Sequence, residues 1–478
     1  MRWMIMLVSL FLVMSCVPSS YFLDDHTQGA PGIPSKVVVL DGGTTHVAGR
    51  YTYVIVGVLD ESNFPVSNVT VKLYEQSGVY ISEAKTDSSG IATLPLFSTK
   101  SGKRTFYVEV EGYSYSFDIY FENPTWLFVV WLGADNDLEE FANRDLEEMR
   151  SASENVSVVV FYDGGGIYDG IMVLDEEGNW RFIMGITEID LNSGSIEDLK
   201  YWMGYILKNF TAEHVALILW NHGGAWLDDS MYSLKAVSYD YSQGTAITIA
   251  DLRGALESVL NGGKLDILGF DACLMGSLEV IYELRNTADY IVASSFLEPG
   301  EGWDYTFLSE INASSEPLDV GKLIVDKYKE HYLNHPQPGL NSLSLAVYDT
   351  SKVKSFVSDF NIFVENDLNS STDVVNTIYL DVVKIYYDFF SNDAVLIDLG
   401  DFLDEYVNKT VSSIPDPSSF VVYSYGETEG QPLQTPISIF MPENSSCYSY
   451  YLDSYLTLSF PYDTSWDEFL EHWLGIQQ

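Results

Sequence analysis

The sequence predicts an α/β protein with a mostly parallel sheet flanked by helices, preceded by a β-sandwich. After residue 124, continuous apolar strands alternate with amphipathic helices, as expected for parallel strands covered on both faces. Between residues 36 and 123, short runs of alternating polarity are separated by turn sequences, which is typical of a β-sandwich. The 478 residues, 46% of them hydrophobic, are sufficient for both parts.

The N-terminus has the pattern of an export signal. Arg2 gives a positive end, and Trp3 to Met14 is almost wholly apolar but too short to span a membrane. The run ends in Leu-Val-Met-Ser before Cys16, which resembles a bacterial lipoprotein box. That resemblance implies that residues 1–16 form a lipoprotein signal in which cleavage before Cys16 leaves it as the lipidated first residue of the mature protein, and hence an exported protein with a lipid anchor in the bacterial cell envelope. An ordinary signal peptide with an incidental cysteine is the alternative.

The predicted β-sandwich follows a polar, Gly- and Pro-containing tether at residues 17–35. Its candidate strands include Tyr51 to Val58 and Val69 to Tyr74, with turn sequences between them. Residues 36–123 resemble bacterial immunoglobulin-like modules. They contain no clustered histidines, cysteines or acids, so a spacer or docking role is expected.

The α/β part is predicted over residues 124–478 from its pattern of strands and helices. Its candidate buried strands are Trp126 to Leu132, Val156 to Phe161, His214 to Trp220 and Leu265 to Phe270. Its candidate helices are Glu139 to Met149, Ile196 to Lys208, Ala250 to Leu260 and Ser277 to Arg285.

Charge and cysteine content exclude some classes of protein. The chain has 24 Lys plus Arg against 69 Asp plus Glu, a net charge of −45. Nucleic acid is therefore not a predicted partner, because phosphates require a basic surface. Only Cys273 and Cys447 follow the leader, so a disulfide scaffold is excluded, although one bridge between them is conceivable.

Two loops that follow apolar strands contain the candidate catalytic pair. His222 follows Trp220-Asn221, and Cys273 follows Phe270-Asp271-Ala272. Ligands of open α/β sheets bind beyond the carboxyl ends of strands, where both loops should open. An imidazole can generate the attacking thiolate from a neighbouring thiol. The amides of Gly223 and Cys273 are the candidate oxyanion hole.

Several motifs in order resemble the clostripain-like peptidases, a branch of the caspase-like cysteine peptidases. A histidine about 50 residues before the cysteine matches the caspase-type arrangement. The resemblance covers roughly residues 125–473. Its motifs are Ala134 to Glu139, Asn221 to Gly224, Asp271 to Met275, Glu298 to Trp303, Asp398 to Phe402 and Pro436 to Pro442.

The resemblance implies a cysteine endopeptidase that uses a dyad, nucleophilic Cys273 and general base His222. It implies cleavage after Arg or Lys in protein or peptide substrates, with Asp271 and Glu301 at the positions of the acids that bind the basic side chain. Glu301 is longer than the Asp expected there. Asp271 as a helix cap and Glu301 as a solvated rim carboxylate are the alternatives.

The resemblance also implies two features that only some members have. One is self-cleavage between the His and Cys motifs, for which Lys235–Ala236 is the candidate bond. Arg253 and Lys264 are the other basic residues of that interval and are predicted to be less accessible. The other is a calcium requirement. The loop Asp135 to Glu139 could supply oxygen ligands but lacks the spacing of a calcium-binding loop, and a solvated loop is the alternative.

Two other functions remain open from the sequence. One is a binding lipoprotein that keeps the fold without activity, which an acyloxymethyl ketone that labels Cys273 would exclude. The other is a glycoside hydrolase built on the abundant carboxylates and aromatic residues, whose activity would survive alkylation of the thiols.

Overall fold

The computed structural model describes residues 32–165, 169–186, 191–229, 234–337, 339, 341–388, 391–410 and 414–476. The predicted signal peptide, Cys16 and most of the predicted tether lie outside the described residues. The chain divides into two compact units. The first runs to Asn123 and includes Asp175–Glu177, and the second contains the rest of the chain from Pro124 onward.

The described part of the first unit is built from strands alone. They are β1 (Lys36–Val39), β2 (Thr45–Val47), β3 (Tyr51–Leu59), β4 (Thr70–Glu75), β5 (Tyr80–Lys85), β6 (Ile91–Phe97), β7 (Gly102–Val110) and β8 (Tyr113–Glu122). One sheet has the order β1-β3-β6 and the other β2-β8-β7-β4-β5. Alternate residues of β3, among them Val54, Val56 and Val58, are completely buried in a shared core, so the predicted β-rich N-terminal region is confirmed.

The strands of the second unit form one large and two small sheets. They are β9 (Trp126–Ala134), β10 (Val156–Gly164), β11 (Asp169–Leu174), β12 (Trp180–Ile186), β13 (His214–Trp220), β14 (Gly223–Asp229), β15 (Leu234–Asp240), β16 (Thr245–Ile247), β17 (Leu265–Asp271), β18 (Ala288–Ala293), β19 (Ser342–Asp349), β20 (Lys384–Tyr387), β21 (Ala394–Asp398), β22 (Val421–Thr428), β23 (Gln431–Pro432) and β24 (Ser438–Phe440).

The helices of the same unit cover the large sheet and extend beyond it. They are α1 (Glu139–Met149), α2 (Ile196–Asn209), α3 (Ile249–Leu260), α4 (Leu278–Glu283), α5 (Pro317–Asn334), α6 (Thr350–Asn366), α7 (Thr372–Asp381), α8 (Leu399–Lys409), α9 (Ser445–Tyr455), α10 (Ser459–Asp463) and α11 (Trp466–Leu474). Hydroxyl side chains begin two of them: Ser195 caps α2 and Thr248 caps α3 by accepting backbone N–H groups.

The large sheet has the order β12-β11-β10-β9-β13-β17-β18-β19-β22-β23. Its five central strands, β10 to β18 in that order, pair in parallel, and the strands on either side pair antiparallel. Strand β9 shows why the centre is apolar throughout, because all nine of its residues are buried. Trp126 and Phe128 pack in the core that includes α5, whereas Trp131 on the opposite face stacks on Phe161.

The predicted fold class is confirmed, with one refinement. The predicted buried strands and helices are present with small shifts of their ends; the last predicted helix, for example, is shortened to Leu278–Glu283. The antiparallel edges were not predicted, because continuous apolar runs do not reveal strand direction. Within the described ranges, no helix is both long and apolar enough to cross a membrane.

Candidate active site

Three neighbouring parallel strands, β9, β13 and β17, end at the same edge of the large sheet, and the loops that contain His222 and Cys273 follow two of them. Trp220, the last residue of β13, pairs with Leu132 of β9 on one side and with Asp271 of β17 on the other. The residues that follow these three strands therefore meet. The structure thereby brings the His222 loop and the Cys273 loop together, and adds the loop that begins at Asp135.

Asn221 fixes the backbone of the His222 loop. Its side chain is almost completely buried, and Nδ2 donates to the carbonyl oxygens of Gly133 (2.7 Å) and Tyr239 (2.9 Å). Its Oδ1 accepts the backbone N–H of His222 at 2.6 Å. A buried amide with these three bonds sets where the imidazole emerges from the sheet.

The imidazole of His222 is held through one of its two nitrogens. Nε2 lies 2.7 Å from Oδ1 of Asp137, and the hydroxyl of Tyr241 donates to the same oxygen at 3.1 Å. The Tyr241 ring stacks on the imidazole, with 6.2 Å between the ring centroids and 8° between their planes. Because the carboxylate engages Nε2, Nδ1 is the nitrogen that can accept a proton from a thiol.

The thiol of Cys273 is neutral in this arrangement. Sγ accepts the backbone N–H of Glu298 at 3.2 Å and lies 3.7 Å from the carbonyl oxygen of the same residue. Burial, followed by the charge of Glu298, raises the pKa of the thiol to about 12. Cys273 and Cys447 are both free, so the conceivable bridge between them is not formed.

The two candidate catalytic loops touch through their backbones. A Cβ atom at Gly223 would overlap the carbonyl oxygen of Cys273 and lie 3.1 Å from its amide nitrogen. The two residues predicted for the oxyanion hole are therefore adjacent. Leu274, immediately after Cys273, has a φ of 64°, a left-handed conformation that is uncommon for a bulky side chain and is typical of strained turns at functional sites.

A cavity of about 240 Å³ opens between the loops. Both His222 and Cys273 line this cavity, so the candidate base and the candidate nucleophile face the same space. Its wall also includes Trp220, Asp271, Glu298 and Gly302.

Residues 130–473 match the model of the Clostripain family. The chain belongs to the clostripain family. It is therefore a cysteine-type endopeptidase, as predicted, and the glycoside hydrolase alternative is wrong. The chain is 24% identical over 411 residues to clostripain of Hathewaya histolytica, which covers 70% of this chain and 77% of that protein.

Solved structures of other clostripain-type (C11) proteases share the fold. An inactive zymogen C11 protease from Parabacteroides distasonis matches with a TM-score of 0.56 and 19% identity, over 71% of this chain and 98% of that one. A secreted C11 cysteine protease from Bacteroides thetaiotaomicron, in complex with an irreversible peptide inhibitor, matches with a TM-score of 0.52 and 20% identity, over 70% and 98%.

Within this clostripain-family site, Asp271 lies in the cavity wall and is buried. Its Oδ2 accepts the hydroxyl of Tyr305 at 3.0 Å and the backbone N–H of Trp303 at 3.3 Å. Burial raises the pKa of Asp271 to about 7 despite these bonds. The alternative that Asp271 caps the helix after the Cys273 loop does not describe these side-chain contacts, which are made with Tyr305 and Trp303.

Two further acids beneath the cavity were not singled out from the sequence. Both carboxylate oxygens of Glu298 are buried, and burial, then the charge of Asp271, raises its pKa well above the usual value. Asp145 of α1 accepts the indole N–H of Trp220 at 2.6 Å, and burial raises its pKa to about 9. An acid on the apolar face of a helix was the available signal for Asp145.

The structure does not bring Glu301 to the cavity wall, contrary to the prediction. Its carboxylate lies 2.6 Å from Nη1 of Arg144 and 2.9 Å from Nε2 of His331, and the hydrogen bond from Arg144 lowers its pKa to about 2. A guanidinium of the chain itself already engages this carboxylate. Glu298, three residues earlier on the same loop, is the acid that lines the cavity.

The candidate processing bond lies in regular structure. Lys235–Ala236 is part of β15, where Lys235 pairs with Asp228 of β14. The alternative Arg253 lies within α3 and forms an ion pair with Glu283, and Nζ of Lys264 lies 3.1 Å from the carbonyl oxygen of Arg285.

The acidic side chains of the loop Asp135 to Glu139, predicted as a possible calcium site, lie in two different environments. Asp137 points to His222, whereas Asp135 lies with Asp163 and Asp240 in a group of carboxylates whose oxygens are close enough to share a metal ion. Only Asp135 of the predicted loop belongs to that group. The other two ligand candidates end other strands, which is why local spacing did not reveal them.

Proposed function

We propose that this endopeptidase cleaves after arginine or lysine, with Cys273 as nucleophile and His222 as base. The observation that supports this most is the pair of acids, Asp271 and Glu298, in the wall of the cavity beside the thiol. Burial disfavours the ionised form of both acids, and a bound guanidinium would offset this penalty through paired hydrogen bonds with the carboxylates. Because Cys273 lines the same cavity, a basic side chain bound there would bring its own carbonyl carbon to the thiol.

The first step forms a thioester. As the neutral thiol attacks the carbonyl carbon, Nδ1 of His222 takes its proton. The oxyanion of the tetrahedral intermediate accepts hydrogen bonds from the amides of Gly223 and Cys273. Collapse of this intermediate breaks the C–N bond, and the imidazolium of His222 returns the proton to the leaving amine.

The second step hydrolyses the thioester. His222 removes a proton from water, the resulting hydroxide attacks the thioester carbonyl, and Cys273 leaves with the proton restored to it. Asp137 acts as a positioning residue in both steps. Its bond to Nε2 holds the tautomer that leaves Nδ1 free, and its charge stabilises the imidazolium.

Substitution of each thiol tests the assignment of the nucleophile. Cys273→Ala should abolish turnover of an Arg-aminomethylcoumarin peptide, whereas Cys447→Ala, at a buried thiol of α9, should retain it. Undiminished turnover by Cys273→Ala would refute the mechanism. Wild-type protein should also be labelled at Cys273 by an Arg-containing acyloxymethyl ketone, and absence of labelling would favour a binding protein without activity.

A second substitution tests the basic specificity. Asp271→Asn should lower kcat/KM for Arg and Lys peptides by about 100-fold, because a site built to pair with a cation loses its charge. Turnover of a norleucine peptide, which presents no charge, should change little. An equal loss for all three peptides would contradict the assignment of Asp271 to substrate binding.

We also propose that the enzyme is lipid-anchored through Cys16 at the cell envelope, which its leader sequence supports. Wild-type protein expressed in a bacterial host should partition into the detergent phase of Triton X-114, and Cys16→Ser should partition into the aqueous phase. Recovery of wild type from the aqueous phase would refute the anchor.

Self-cleavage at Lys235–Ala236 is proposed as a slow reaction, since β15 must separate from β14 before the bond can enter an active site. Lys235→Ala should stop the appearance of two fragments on denaturing gels, whereas Lys264→Ala should not. Cleavage that persists in Lys235→Ala would place the processing bond elsewhere.

A further inference from the structure

Glu298 contacts both the thiol and the carboxyl group of Asp271 in the cavity wall. Its backbone N–H donates to Sγ of Cys273 at 3.2 Å. Its side chain is hydrogen-bonded to the side chain of Asp271. Asp271 is the last residue of β17 and Cys273 lies two residues later, whereas Glu298 belongs to the loop that follows β18. Glu298 thus joins these two loops at the point where the thiol and the acid meet.

A hydrogen bond between two carboxyl groups requires a proton on one of them. An ionised carboxylate only accepts hydrogen bonds, whereas a protonated carboxyl group has an O–H to donate. Asp271 is buried, and so are both side-chain oxygens of Glu298. Two negative charges side by side and away from water would repel each other strongly. The pair therefore holds one proton and one negative charge, which equals the charge of a single Arg or Lys side chain.

The contacts of Asp271 show which member of the pair is charged. Its Oδ2 accepts the hydroxyl of Tyr305 at 3.0 Å and the backbone N–H of Trp303 at 3.3 Å, and such donors favour the ionised form. Burial, together with the charge of Asp271, raises the pKa of Glu298 well above its usual value. Asp271 is therefore the anion, and the proton lies on Glu298.

We propose that Glu298 is a positioning residue that stays protonated and donates a hydrogen bond to Asp271, so that Asp271 alone supplies the charge that binds a basic side chain. This role rests on the proposed function of the cavity. The remaining oxygen of a protonated Glu298 can still accept one N–H of a guanidinium. The proton also benefits the nucleophile, because a charged Glu298 would raise the pKa of the Cys273 thiol.

Two substitutions of Glu298 separate a hydrogen bond from a charge. Glu298→Gln keeps the shape of the protonated acid and an N–H that can donate to Asp271, so kcat/KM for an Arg peptide should stay within about threefold of wild type. Glu298→Ala removes the donor and should lower this value about 10- to 100-fold. Turnover of an uncharged norleucine peptide should fall much less, because the backbone N–H that contacts the thiol remains.

The dependence of specificity on pH provides a readout that loss of packing alone would not move. The ratio of kcat/KM for an Arg peptide to that for its citrulline analogue reports the charge of Asp271. Because the hydrogen bond from Glu298 lowers the pKa of Asp271, the rise of this ratio should shift to higher pH in Glu298→Ala and stay in place in Glu298→Gln. The other titratable groups around the pair are unchanged in both variants: Asp145, Glu148, Cys273, Tyr305, Tyr328 and Tyr332.

Infrared spectroscopy tests the proton without a substrate. Near neutral pH, the difference spectrum of wild type minus Glu298→Gln should contain the C=O stretch of a protonated carboxylic acid, and exchange into D₂O should shift it. Glu301→Gln is the matched control, because the hydrogen bond from Arg144 lowers the pKa of Glu301 to about 2. Its difference spectrum should contain only the bands of an ionised carboxylate.

Four results would overturn the proposal. They are a loss in Glu298→Gln as large as that in Asp271→Asn, the absence of the protonated-acid band, an unshifted ratio in Glu298→Ala, and equal losses for Arg and norleucine peptides in Glu298→Ala. Wild-type enzyme that turns over Arg and norleucine peptides equally would instead refute the proposed function and with it the role of Glu298 in specificity. The infrared band tests the shared proton in either case.

Discussion

Single acids near the thiol differ in charge because their surroundings differ. Burial raises the pKa of Asp271 to about 7, whereas the hydrogen bond from Arg144 lowers that of Glu301 to about 2. At neutral pH, Glu301 is therefore a fixed charge and Asp271 is partly protonated. The sequence predicted a role in binding the basic side chain for both residues, and their different charges follow from their neighbours in space.

The raised pKa of Asp271 predicts how specificity depends on pH. Below pH 7 Asp271 is neutral and binds a guanidinium weakly, and above pH 7 it is charged. The ratio of kcat/KM for an Arg peptide to that for its uncharged citrulline analogue should rise about tenfold per pH unit below 7 and level off above.

The matched variant for this measurement is Asp271→Asn, in which the ratio should be low and independent of pH. A ratio that is flat in the wild type would contradict the assignment of the titrating group. A ratio that still rises in Asp271→Asn would assign the titration to another acid, such as Glu298 in the same cavity wall.

The ion pair of Glu301 predicts a structural role. Because its folded pKa lies below the unfolded value, its contribution to stability is complete above the unfolded pKa and is lost as pH falls towards 2. Glu301→Gln should lower the free energy of unfolding by about 1 kcal/mol at pH 7, and the difference should vanish at low pH. The kcat/KM of Glu301→Gln for Arg peptides should stay within about threefold of wild type. A tenfold loss would instead support the earlier prediction that Glu301 binds the substrate.

At the scale of strands and loops, the sequence predicted the positions of His222 and Cys273 because both follow apolar strands that end in small or polar residues. Parallel pairing of β9, β13 and β17 then brings the strand ends together, a general property of such sheets. The role of Asp137 was missed although its loop follows β9. Nothing in the sequence shows which of the acids between Asp135 and Glu139 faces the imidazole.

Contacts between distant segments account for the remaining errors. Arg144 lies on α1 and Glu301 on a loop more than 150 residues later, so their ion pair has no local signature. The same holds for the meeting of Asp163 with Asp240. Sequence patterns report periodicity and turns, whereas these contacts depend on how complete elements pack.

The backbone contact between the two catalytic loops predicts that a single methyl group is disruptive. Gly223→Ala would force its Cβ into the carbonyl oxygen of Cys273, so kcat/KM should fall at least about 100-fold, since small misplacements of catalytic groups are that costly. Gly254→Ala in α3, where a Cβ meets open space, is the control and should raise the free energy of unfolding by about 0.5–1 kcal/mol. Activity retained by Gly223→Ala would show that the loops can separate.

Across the whole molecule, the net charge of −45 should influence how substrates arrive. A strongly anionic protein attracts cationic peptides over a distance that salt shortens. For a peptide with several Lys or Arg residues, kcat/KM should fall several-fold between about 0.01 and 0.15 M ionic strength. A peptide with the same cleaved residue and acidic flanks should show no fall, and equal salt dependence for both would contradict the steering effect.

The pairing of β13 with β17 also determines whether the two fragments would stay together after cleavage of the chain between them. The strands that lead to His222 and to Cys273 are hydrogen-bonded neighbours, and the chain between them forms separate structure. A break in that interval would leave the two proposed catalytic residues on different polypeptides that still share one sheet, with both described thiols unbridged. The fragments would co-purify until a denaturant, and not a reductant, separated them. Two genes that encode the fragments separately could then be co-expressed, and their products would assemble one active site.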